Sequence, residues 1–159
     1  MNPFLIIAFI TLLPWIELRG AIPVGILLCN LDPSIVFIIS VPLNAALFFP
    51  IFIGLTYFYR YVDHIGFVKK VVEGARRRGH SKVEKYGYLG LALLVAIPLP
   101  FTGVYTGTLA AWLLGLDFKK SFFAVLIGTI IAGVLVTIFS TLFGVVVFQY
   151  RGLSEINIC

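Results

Sequence analysis

The chain has 159 residues, of which 60% are hydrophobic and 12% charged, and its mean hydropathy is +1.07. These values exceed the apolar share of a soluble domain and exclude water as the solvent for most of the surface. The net charge of +5 does not point to nucleic acid, because eight of the twelve basic residues fall between Arg60 and Lys85, between apolar tracts.

Four apolar tracts, at about residues 3–31, 34–59, 88–116 and 121–149, each reach the ~20 residues that a spanning helix needs. The first, Pro3 to Leu31, is 29 residues long. As one helix it would measure about 43 Å against a hydrocarbon core of ~30 Å, too long for one crossing and too short for two. Its middle reads Pro14-Trp15-Ile16-Glu17-Leu18-Arg19-Gly20-Ala21-Ile22-Pro23. Proline removes backbone donors and glycine permits a sharp turn. The pattern predicts a re-entrant hairpin broken at Pro14 and Pro23, with its turn near Glu17 to Gly20. The tract lacks the basic start and small-residue cleavage site of a signal peptide, so it is expected to stay in the mature protein. Cys29 lies in this tract and Cys159 is the last residue, a spacing that suggests neither a disulfide nor a metal site.

Asp32 is placed to cap a long apolar helix over 34–59. Asn44, beside Pro42 near the middle of that helix, is placed to bond the first hairpin tip or to join helices. From Val62 to Ala75, apolar residues recur at helical spacing among Asp63, Lys69, Lys70 and Glu73, as in an interfacial helix. Arg76, Arg77 and Arg78 follow and suit anionic lipid headgroups. The positive-inside rule puts this loop in the cytoplasm together with Lys119 and Lys120.

The third tract, residues 88–116, repeats the length of the first and is broken at Pro98 and Pro100, which predicts a second hairpin. Asp117 then caps the helix over 121–149, as Asp32 caps its counterpart. A hairpin returns to its own side while a long helix crosses, so the second half is inverted relative to the first. The expected fold is an all-α integral membrane protein of two inverted repeats, each a re-entrant helical hairpin followed by one long transmembrane helix, joined by a basic interfacial helix. Its parts are repeat 1 over 1–60, a cytoplasmic amphipathic linker over 61–87, repeat 2 over 88–150 and an external tail over 151–159, with both termini external.

Glu17 and Arg19 are the charged residues well inside an apolar tract, and each costs on the order of 2.5 to 3.5 kcal/mol at mid-bilayer on insertion scales. Residues two apart do not face each other on a regular helix, so a direct pair requires irregular backbone. Half-helices starting near Gly20 and Gly103 would present unsatisfied amides toward the protein centre, and with Arg19 they would favour an anion such as phosphate or carboxylate. Glu17 is then the group that exchanges a proton as the site alternates. Around the second break, Thr102, Gly103, Tyr105, Thr106 and Gly107 offer hydroxyls and accessible backbone, which membrane depth tolerates in a polar cavity or inside protein. With no HExxH motif and no serine hydrolase signature, no enzyme, metal or cofactor is expected.

Through Glu17-Leu18-Arg19-Gly20-Ala21-Ile22-Pro23, Lys85-Tyr86-Gly87 and Pro98-Leu99-Pro100-Phe101-Thr102-Gly103, the chain resembles the putative small multidrug export protein family over nearly its whole length. That resemblance implies a small membrane protein of the prokaryotic cytoplasmic membrane. The two hairpins, each followed by a long helix, are more distantly similar to the DedA and VTT superfamily, which implies movement of a lipid phosphate such as polyprenyl phosphate. The leading expectation is thus a transporter or flippase for an anionic lipid or amphiphile, coupled to protons or another ion. Alternatives are an exporter of cationic or hydrophobic drugs and a non-transporting membrane scaffold or lipid-binding module. A homodimer is expected, because two hairpins and two long helices give little protein to shield polar tips from lipid.

Overall fold

A computed structural model describes residues 2–62, 66–98 and 102–151, and among them all regular structure is helical. In order these are α1 (Pro3–Leu12), α2 (Glu17–Pro23) running into a π-helical turn (Val24–Leu28), α3 (Pro33–Ala46), α4 (Phe48–Val62), α5 (Gly66–Ala96), α6 (Val104–Leu113) and α7 (Phe118–Arg151). Two stretches are long and apolar enough to cross a membrane: Pro33–Tyr61, 29 residues, and Phe118–Val145, 28 residues.

The first tract breaks into two packed helices, but earlier than expected. The turn is Leu13 to Ile16, and Glu17 already opens α2. Pro14 sits in that turn, where a residue without an N–H cannot continue α1. Gly20 is inside α2. A Cβ there would fall 1.9 Å from Cγ2 of Ile16, so this glycine serves close approach to the turn. Pro23 does not break the hairpin either. The helical path runs through it and widens: the Cys29 amide bonds the Val24 carbonyl at 3.0 Å, and Leu31 bonds Gly25 at 3.0 Å. Proline removes a helical donor, and π turns and prolines are both places where a helical path departs from the regular ladder. Asn30, with φ of 50°, ends the segment in the left-handed region that asparagine tolerates.

Both aspartate caps form as expected. Oδ1 of Asp32 accepts from the Ser34 amide at 2.8 Å and Oδ1 of Asp117 from the Lys120 amide at 3.0 Å. The basic segment and the start of the third tract are one helix, α5, of 31 residues. Nothing between Gly66 and Ala96 stops a helix: the segment has no proline, and Lys, Arg, Glu and Leu propagate one. The expectation for the cysteines concerns Cys29 and Cys159. Cys29 is buried in the first unit, while Cys159 lies outside the described residues.

The chain divides into two compact units, Met1–Asn44 with Ile130–Cys159, and Ala45–Thr129. In the first, Leu18, Ala21, Ile22 and Ile26 follow the i, i+3, i+4, i+8 spacing of one helix face. They close a core with Ile7, Val36, Ala132 and Val136. In the second, Leu91, Val95, Val104 and Ala111 pack with Phe48, Ala124 and Val125. The rings of Phe48, Phe49, Phe52, Phe118 and Phe122 extend that core, with centroids 4.8 to 6.0 Å apart.

The distribution of polarity is that of a protein dissolved in hydrocarbon. Large apolar side chains such as Ile38, Phe58, Phe123, Phe139 and Phe143 are exposed, whereas Thr11, Ser40, Asn44, Thr108, Ser121 and Thr129 are fully buried. The threonines satisfy themselves inside their own helices, Thr11 donating to the Ile7 carbonyl and Thr129 to Val125, both at 2.8 Å. That arrangement suits a medium offering no other partner.

Candidate functional site

Glu17 is 6% exposed, at the first position of α2, and its amide bonds the Leu13 carbonyl at 3.0 Å. Its φ is 52°. A side chain with a Cβ pays on the order of 1–2 kcal/mol for left-handed backbone, so the local sequence alone does not favour this conformation. The twist puts the carboxylate inside the unit at the point where α1 turns into α2. Arg19, half-buried on the same turn, is attracted electrostatically to Glu17. The irregular backbone that a pair two residues apart requires is therefore present, at Glu17 itself and not at Gly20.

In the second unit the break between α5 and α6 is stitched by hydroxyls. Thr102 Oγ1 donates to the Ile97 carbonyl at 2.9 Å, and Thr106 Oγ1 accepts from the Gly103 amide at 2.9 Å. Pro98 lies just past the end of α5, and Pro100 is outside the described residues. Thr108 bonds the Val104 carbonyl one turn back. These hydroxyls thus serve the break and the first turn of α6 before they meet any guest. Tyr105 is half-buried on α6. Gly107 lets α6 close on α5, since a Cβ there would lie 2.5 Å from Cγ2 of Val95.

Arg76, Arg77 and Arg78 belong to the helical backbone of α5, and their side chains lie outside the described residues. Asn44 is fully buried on α3, and neither its Oδ1 nor its Nδ2 has a hydrogen-bond partner among the described residues. The same holds for Ser40 Oγ, one helical turn away, and for Ser121 Oγ on α7. Sequence reasoning passed over Ser40, although its spacing of four from Asn44 on an apolar helix was a readable signal. It also passed over Trp112, whose indole donates to Thr56 Oγ1 at 3.1 Å and so ties α6 to α4.

Apolar exterior, buried polar interior and two helices of spanning length define a helical membrane protein. The family model described as putative small multi-drug export protein matches residues 17–135, and the chain belongs to that family. The matched stretch opens at Glu17, just past the first turn, and contains the break between α5 and α6. No curated protein and no solved structure matches the chain.

Proposed function

We propose that this protein is a membrane transporter or flippase that moves an anionic, phosphate-bearing lipid or amphiphile, of the polyprenyl phosphate kind, coupled to protons or another ion. The observation that carries the reading is the charged pair of the first unit: a buried carboxylate on left-handed backbone, with a guanidinium two residues on. Arginine offers a planar fork of donors that matches phosphate or carboxylate oxygens. Glu17 balances that charge when the site is empty and takes up a proton when the anion arrives. The family's description as an export protein supports transport as the class of activity.

The remaining parts of the proposal follow from sequence. Each half is a re-entrant hairpin plus a crossing helix, the two halves are inverted, and the basic segment faces the cytoplasm of a prokaryotic cell with both termini outside. Asn44 in the first unit and, separately, the Thr102 to Gly107 segment in the second offer polar groups, the Arg76 to Arg78 run meets headgroups, and the working form is a homodimer. Polyprenyl phosphate translocation in proteoliposomes tests the function. Wild type is expected to move the lipid faster under a pH gradient and Glu17→Gln to lose that dependence. Equal rates for the two, with or without a gradient, refute coupling through Glu17, and no movement by wild type refutes the lipid.

The family description favours one second reading, export of cationic or hydrophobic drugs with Glu17 as the cation's partner. In that case Glu17→Gln abolishes drug resistance in cells, while Arg19→Ala is milder.

A further inference from the structure

We infer that Ser40 and Asn44 form a hydration site at membrane depth, in which shared water bridges the two side chains on the buried face of α3. The inference goes beyond the anion reading and does not depend on it. Both residues are 0% exposed, and three polar atoms, Ser40 Oγ, Asn44 Oδ1 and Asn44 Nδ2, have no hydrogen-bond partner among the described residues. The buried threonines of this chain donate to a carbonyl one turn back. Ser40 has the same option in principle and does not take it, and an asparagine amide has too many donors and acceptors to be satisfied that way.

Helix geometry places the pair. At about 100° per residue, counting from Val36, Ser40 lies near 40° and Asn44 near 80°, while Phe37 and Val41 lie near 100° and 140°. Val36 meets the π turn after α2, since a Cβ on Gly25 would fall 2.8 Å from it. Phe37 and Val41 meet α7, since a Cβ on Gly133 would fall 2.6 Å from Val41. Ser40 and Asn44 therefore occupy the angular interval between two packed neighbours, within the unit that holds Glu17. They do not face lipid.

The chemistry of the three atoms selects the occupant. A bare cation would suit Oδ1 and Oγ but meet the Nδ2 protons, and a bare anion would suit Nδ2 and the hydroxyl but meet Oδ1. A group that both donates and accepts serves all three, and buried water makes about three such bonds. Residues four apart on a helix are neighbours, close enough for one water to reach both.

Water-edited solid-state NMR on the full chain in lipid bilayers tests the inference without altering the protein. The Asn44 side-chain amide is expected to gain polarisation from water at least about fivefold faster than the Val36 methyl groups, which are equally buried but apolar. Build-up at Asn44 as slow as at Val36 overturns the proposal. Ser40→Ala removes one anchor of the bridge and is expected to reduce the Asn44 build-up by about half. An unchanged build-up in that variant overturns the shared site, and the wild-type measurement stands should the variant fail to fold.

Discussion

At Glu17 two costs coincide, a buried carboxylate and a backbone that a Cβ disfavours. They can be separated by choice of substitution. Glu17→Gly removes the carboxylate and also relieves the left-handed backbone, whereas Glu17→Ala removes the carboxylate alone. Glycine is expected to be the more stable of the two by about 1 kcal/mol, read as thermal unfolding in detergent. If the carboxylate serves transport, both variants lose activity alike, since neither can hold a proton or balance Arg19. If the pair only holds the turn, activity follows stability and the glycine variant outperforms the alanine variant. The same contrast separates the transporter from the scaffold reading.

Helix packing in the second unit depends on residues that leave room. A Cβ at Gly128 would lie 2.5 Å from the carbonyl oxygen of Ala92 and 2.8 Å from Cβ of Val95, so α7 and α5 touch nearly backbone to backbone. Backbone cannot rotate out of the way as a side chain can. Gly128→Ala is expected to cost about 1 to 3 kcal/mol in unfolding measurements. Gly54 and Gly90 have nothing within 4 Å of a built Cβ, so alanine there is expected to be neutral or stabilising by up to about 1 kcal/mol. Both long helices begin at an aspartate whose carboxylate accepts a backbone amide. Asp117→Ala is expected to cost about 1 kcal/mol by loss of the cap, and Asp117→Asn much less, since the amide oxygen also accepts. Comparing the two by circular dichroism melting separates capping from charge.

For the whole molecule, membrane placement follows from which side chains are outside. Exposed Phe58, Phe139 and Phe143 and buried Ser40, Asn44 and Ser121 are the reverse of what water selects. Reporter fusions test the proposed topology: a fusion within residues 76–85 is expected to report the cytoplasm and fusions at either terminus the outside. Replacing Arg76, Arg77 and Arg78 with glutamine is expected to weaken that orientation, because it rests on positive charge. Crosslinking in native membranes checks the homodimer.

Some of this protein could be read directly along the chain. Hydropathy and tract length sufficed for an all-helical membrane protein, aspartate positions for the caps, and Pro14 and Pro98 for where helices stop, because these are local consequences of backbone donors and of solvent; Pro23, by contrast, is carried inside a helical path. The charge pair was legible for the same reason, since any acid beside an arginine in an apolar tract demands an account. Tertiary structure alone decided where the first turn falls, that Gly20 serves close packing, and that α5 passes without interruption from the basic segment into the third apolar tract. It also decided that Ser40 and Asn44 share one buried face. Each of these depends on which atoms approach in space, and a one-dimensional pattern carries no record of the neighbour against which a side chain packs.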